Sequence, residues 1–178
     1  LAKSQGQDSY LSVIQQLSSG DLQSLGKQYL TQAQRHRQSQ ANYFVDKMLS
    51  NFAHIGVIHL MFPKAIIIDA RRHPLGSTFS CYKQLFARGM LFSYHLEELA
   101  QYYRDYHELM AHFDSVLPNR IYRVNYELLV ANPEQEVNKL LAHCGLPFDE
   151  RCLRFYENAR NVMTISSEQV RQPIYSSS

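Results

Sequence analysis

The chain has 178 residues, enough for one well-buried domain and too few for two of ordinary size. A hydrophobic fraction of 45% beside 19% charged residues excludes a disordered tail, and a formal net charge of +2 is too small to imply nucleic acid by itself. Cys81, Cys144 and Cys152 are odd in number and without CxxC spacing, which speaks against a disulfide framework and for small apolar residues in a reducing, cytoplasmic setting.

The chain opens on Leu1 without a charged stretch followed by an apolar run, so no signal peptide is read and the chain is taken as a fragment. No apolar run reaches the roughly 18 residues of a membrane-spanning helix. Up to about Gln40 the sequence is rich in Gln and Ser. Leu22, Leu25, Tyr29 and Leu30 recur at helical spacing behind Asp21, which is expected to cap them. This predicts one or two exposed amphipathic helices and no chemistry. Tyr43–Met48 reads as a short strand, and Phe52–Phe62 as a buried helix stopped by Pro63. Ala65–Ala70 is a branched run without alternation, the pattern of a parallel strand covered on both faces.

Pro74 suits the first turn of a helix expected to pass Ser80, Tyr82 and Phe86. Leu96, Leu99, Ala100, Tyr103, Tyr106, Met110 and Phe113 mark one face of a long helix. After a turn at Pro118-Asn119, Ile121–Val124 is a second strand. Asn132-Pro133-Glu134 starts a last helix with the buried stripe Val137, Leu140, Leu141 and Cys144, stopped by Gly145 and Pro147. Alternating strands and helices predict an α/β domain with a mainly parallel central sheet flanked by helices. Ligands of such sheets bind beyond the carboxyl ends of the strands, near helix N-termini, where Arg71, Arg72 and Ser80 fall.

The segment Asp69-Ala70-Arg71-Arg72-His73-Pro74 continuing to Ser80 and Tyr82 resembles the 3′-phosphate-binding motif of sulfotransferases that use 3′-phosphoadenosine 5′-phosphosulfate (PAPS). A strand would deliver the planar fork of Arg72 to a phosphate, and the Ser80 hydroxyl could donate to it from the following helix. Asp46-Lys47-Met48-Leu49-Ser50-Asn51 resembles the Asp-Lys-x-x-x-Asn segment of the tyrosylprotein and tetratricopeptide-linked branch, although Leu49 stands where relatives commonly have Pro. That likeness makes Lys47 a stabiliser of the charge that builds on the transferring sulfuryl group. Tyr126-Glu127-x-Leu129 resembles a segment whose Tyr lines the nucleotide site, which puts Tyr126 near adenine. Met163–Tyr175 resembles a Ser-rich loop of the same branch, so Ser166 (or Ser167, one register away) would help hold the sulfuryl group and Arg171 would add positive charge over the nucleotide.

The resemblance implies a P-loop-like three-layer domain over residues 43–178, with 1–42 as a helical segment of the same domain. It implies PAPS as co-substrate, PAP as product and a hydroxyl-bearing acceptor: peptide, carbohydrate or small molecule, with protein tyrosine among the candidates. No nucleic acid, membrane or metal partner is expected, and the Golgi lumen competes with the cytoplasm by analogy with the tyrosylprotein branch. The family's 5′-phosphosulfate loop, a Pro-Arg-Ser-Gly-Thr-like run, and its general base have no counterpart in the sequence, so a truncated domain is expected. A non-catalytic PAP- or nucleotide-binding fragment is therefore the alternative. A nucleotide or sugar kinase would need a Walker-type Gly-x-x-x-x-Gly-Lys segment, which the sequence does not contain.

Overall fold

The computed structural model describes residues 10–37, 41–84, 86, 90–158 and 171–173. They divide into two compact units, Leu1–Ala65 and Ile66–Ser178.

In the first unit, a short helix α1 (Tyr10–Gln16) is followed by α2 (Ser19–Gln34). Ser18, not Asp21, is the cap of α2. Its hydroxyl accepts the backbone N–H of Asp21 at 3.2 Å, while the Asp21 carboxylate accepts the backbone N–H of Ser18 at 2.9 Å. This reciprocal capping box needs a carboxylate three residues after the cap, which is the place Asp21 takes. Gly26, buried on α2, lies so close to Phe62 that an added Cβ would stand 3.2 Å from the ring.

Residues 43–48 are not a strand. They run without regular structure, and Tyr43, Phe44 and Val45 are all exposed. A branched and aromatic run becomes a strand only where a neighbour completes its hydrogen bonds, and the described sheet joins two other segments. A 3-10 turn (Leu49–His54) then leads into α3 (Ile55–Met61), which ends before Pro63 as expected.

The second unit is built on two parallel strands, β1 (Ile67–Arg71) and β2 (Ile121–Asn125), in the register Ile67 opposite Ile121 through Arg71 opposite Asn125. Parallel strands need a long crossover. It is supplied by α4 (Pro74–Lys83), a 3-10 turn (Leu91–Tyr94) and α5 (Leu96–Val116), with α4 packed on α5. After β2 come α6 (Tyr126–Ala131) and α7 (Pro133–His143), both against β2. Gly145 ends α7 at φ +67°, a conformation that favours glycine.

Leu99, Met110 and Phe113 of α5 are buried, on the face that the sequence periodicity marks. Each contributes about 1.5–3 kcal/mol by leaving water. Two expectations are corrected. Helix α4 stops at Lys83, because Gln84 turns to an extended conformation. Phe86 beyond it is held by Tyr94, whose hydroxyl accepts the Phe86 N–H at 3.1 Å and donates to the Phe86 carbonyl at 2.7 Å. Strand β1 is also not covered on both faces: Ile66 and Ile68 are exposed, because in this two-stranded sheet the face bearing Ile68 stays open at β1.

Candidate anion site at the strand ends

Alternation along β1 sends Asp69 and Arg71 to one face and Ile68 and Ala70 to the other. The Asp69 carboxylate, with about 10% of its side chain exposed, is the centre of a polar network on the first face. It accepts from the Tyr106 hydroxyl of α5 at 2.7 Å and from Arg71 Nε at 2.7 Å. Arg123 of β2 stands 3.6 Å from the same carboxylate and pairs with Asp114 at 2.5 Å. The Arg71 guanidinium also lies over the Tyr106 ring, 5.4 Å from its centre. Burial, then the hydrogen bond and charge of Asp69, raise the Tyr106 phenol well above the ordinary tyrosine range. It stays a donor at any working pH.

The two adjacent arginines therefore do different work. Arg71 is committed to Asp69 and Tyr106. Arg72, just past the end of β1, lies over the Tyr126 ring at 5.3 Å from its centre. It also lies over the first turn of α4, where a Cβ on Gly76 would stand 3.4 Å from its Nε and 3.7 Å from Cζ and Nη2. Those are ordinary van der Waals separations, so the guanidinium packs directly over this turn. Ser80 follows Gly76 by four residues, on the same face of α4 one turn on, and is exposed.

The junctions that follow the two strands are tied to each other. Asn125 caps α6, its side-chain oxygen accepting from the backbone N–H groups of Glu127 at 3.0 Å and Leu128 at 3.2 Å. Glu127 then reaches to the start of α4 and accepts the backbone N–H of His73 at 2.9 Å. The carboxyl of Glu127 is held below the ordinary range by this backbone bond, then by its own backbone N–H, with the charges of His73 and Arg72 adding less. Arg72, the first turn of α4, Tyr126 and Glu127 thus meet at the carboxyl ends of β1 and β2. A cationic fork beside a helix N-terminus suits an anion.

In the first unit, Lys47 is exposed on the irregular segment between α2 and the 3-10 turn. That segment is held at several points. Tyr29 of α2 donates a hydrogen bond to Asp46 Oδ2, and Asn51 Nδ2 approaches Asp46 Oδ1 at 3.4 Å. Arg37 donates to the Ala41 carbonyl and lies over the Phe44 ring at 5.6 Å. The Tyr29 ring packs on Phe62, with centres 5.5 Å apart.

A family model described as "Sulfotransferase family" matches residues 13–150. The chain belongs to the sulfotransferase family. It is also 38% identical over 137 residues to an uncharacterized protein of Aquifex aeolicus (strain VF5). That match covers 75% of this chain and 18% of the relative, so the chain spans a small part of the relative's length.

Within this sulfotransferase-family chain, Arg72, Tyr126 and the Ser80 face of α4 come together at one strand edge. Lys47 belongs to the first unit. Arg171 is exposed, in the short described piece 171–173, and Ser166 lies outside the described residues. The described residues contain no group of His, Cys, Asp and Glu suited to a metal ion, and no helix long and apolar enough to cross a membrane. An open groove of about 500 Å³ where α6 meets α7 is lined by Ala131–Gln135 and Asn138 and includes none of these residues.

Sequence reasoning missed Gly76, Glu127 and Tyr29. Gly76 has a signal in retrospect: a glycine inside a helical run calls for a packing reason. Glu127 follows a strand end and has no sequence mark of its bond to His73, which is 54 residues away. Tyr29 looked like one more apolar position of an amphipathic helix.

Proposed function

We propose that this chain carries the 3′-phosphate-binding part of a PAPS-dependent sulfotransferase of the tyrosylprotein or tetratricopeptide-linked branch. The observation that carries this reading is the seat of Arg72. Its guanidinium lies over the first turn of α4 at Gly76, braced by Tyr126, with Ser80 one turn further on the same face. A phosphate fits that donor set: a planar fork, a helix N-terminus and a hydroxyl. Arg72 and Ser80 are assigned the 3′-phosphate. Tyr126 is assigned the nucleotide side of the pocket through its stacking on Arg72.

The domain assignment follows the same motifs, with 1–42 as a helical segment and 43–178 as the sulfotransferase portion. PAPS supplies the sulfuryl group that passes to an acceptor hydroxyl. Lys47, by its motif, is assigned to the oxygens on which negative charge grows, with Ser166 and Arg171 in supporting roles. A second reading is supported by the absence of a Pro-Arg-Ser-Gly-Thr-like loop from the sequence. In that reading this chain binds PAP without catalysing transfer by itself.

Calorimetric titration with PAP and with 5′-AMP tests the assignment. PAP should bind more tightly by roughly ten- to a hundredfold, the value of one charge-assisted phosphate contact, and Arg72→Ala should erase the difference. Equal binding of both nucleotides by folded protein sinks the proposal. Transfer of labelled sulfate from PAPS, measured on the same protein, separates the catalytic reading from the binding one.

A further inference from the structure

The segment that carries Lys47 has no regular secondary structure, and its residues 41–50 are all exposed. A lysine with a long flexible stem can stabilise a transition state only if its backbone is fixed, because misplacement of about 1 Å costs on the order of a hundredfold in rate. The fixing points converge on the residue just before it. Asp46 has both carboxylate oxygens engaged, Oδ2 by the Tyr29 hydroxyl and Oδ1 by Asn51. Tyr29 is itself anchored: its ring packs on Phe62, and Phe62 seats against Gly26, one turn earlier on α2. Gly26, Phe62, Tyr29 and Asp46 form a continuous chain of contacts from the buried face of α2 to the peptide unit that begins Lys47.

We infer that Tyr29, with Asn51, is a positioning residue for Lys47, acting through the Asp46 carboxylate. The Asp and Asn of the Asp-Lys-x-x-x-Asn pattern are thereby given a physical role: they bracket the lysine. Helix α2, in which the sequence shows no chemistry, supplies the third contact. The inference rests on the assignment of Lys47 proposed above, and its test keeps the two apart.

Tyr29→Phe removes the hydroxyl and leaves the ring on Phe62, so the fold should survive. Two readouts are needed. The first is the backbone amide resonance of Lys47 in ¹⁵N-labelled protein, identified by selective ¹⁵N-lysine labelling and its loss from that spectrum in Lys47→Arg. In Tyr29→Phe it should move toward the position and narrow width of an amide in unfolded chain, whether or not the protein is active. The second is sulfuryl transfer by the full chain: kcat should fall roughly ten- to a hundredfold with the KM for PAPS little changed. In a Lys47→Ala background the same substitution should cost nothing further, whereas a merely structural role would cost the same in both. Asp46→Asn keeps an acceptor for Tyr29 and should retain more activity than Asp46→Ala. An unchanged Lys47 resonance in Tyr29→Phe overturns the positioning role. A shifted resonance with full activity in Lys47→Ala leaves the clamp standing and removes Lys47 from the chemistry.

Discussion

Gly76 offers the most direct test of how Arg72 is seated. An alanine Cβ there would stand 3.4 Å from Arg72 Nε and 3.7 Å from Cζ and Nη2. Those are ordinary van der Waals separations, so Gly76→Ala should fit without moving the guanidinium. It should also gain about 0.5–1 kcal/mol, because glycine in a helix costs more backbone entropy than alanine. A gain of that size raises the melting temperature by about 1–4 °C in a protein of this length. Gly76→Val is different. One further carbon at a bond length of about 1.5 Å brings methyl groups into the space of the guanidinium, and branching leaves the side chain little freedom to turn away. Arg72 must then leave the face of α4. The preference for PAP over 5′-AMP should fall by roughly ten- to a hundredfold, as for Arg72→Ala. The assay is calorimetric titration of the three proteins with both nucleotides, after circular dichroism and thermal melts establish folding. A folded Gly76→Val protein that keeps its full preference refutes the seat of Arg72 described here. So does a Gly76→Ala protein that loses it.

Tyr106→Phe removes a hydrogen bond to the nearly buried Asp69 carboxylate and should cost about 1–2 kcal/mol in urea unfolding, Arg71 remaining to satisfy part of the charge. Breaking the exposed pair of Arg154 and Glu157, 3.8 Å apart, should cost less than about 0.5 kcal/mol in the same measurement. Burial, then the bond to Asp46 and its charge, push the Tyr29 phenol up to about 12. A raised value favours the protonated group in the folded state, so its stabilisation is complete below the ordinary tyrosine value near pH 10 and is lost as pH rises toward about 12. The near-ultraviolet tyrosinate titration should show one late-titrating phenol fewer in Tyr29→Phe. Cys152 is exposed, whereas burial raises the Cys81 thiol above its ordinary range. Iodoacetamide at neutral pH should therefore alkylate Cys152 first, as peptide mass spectrometry can follow.

Much of the second unit was legible in one dimension, because its signals are local. The branched run before Arg71, the spacing of Leu99, Met110 and Phe113, and Pro133 at a helix start each report a structure made by near neighbours. The motif from Asp69 to Ser80 pointed to an anion site because strand, turn and helix follow each other directly in the chain. What failed locally did so for identifiable reasons. Tyr43–Met48 has strand-forming residues but no partner strand among the described residues, and strand formation is settled by the partner. Asp21 reads as a cap in the sequence because a carboxylate can fill either end of a capping box, whereas in the structure Ser18 holds the cap and Asp21 the third position.

The sequence by itself determined the strands and helices of the second unit to within a few residues, the parallel character expected of its sheet and the family motifs, all of which depend on spacing along the chain. Only the tertiary structure decided where the two neighbouring arginines go. Strand alternation gives Arg71 to Asp69 and Tyr106, while the turn after β1 carries Arg72 to Gly76 and Tyr126. It likewise decided that Glu127 braces the start of α4 and that Tyr29 holds the residue before Lys47. These contacts join residues far apart in the chain, and their donors and acceptors are matched by folding, not by spacing.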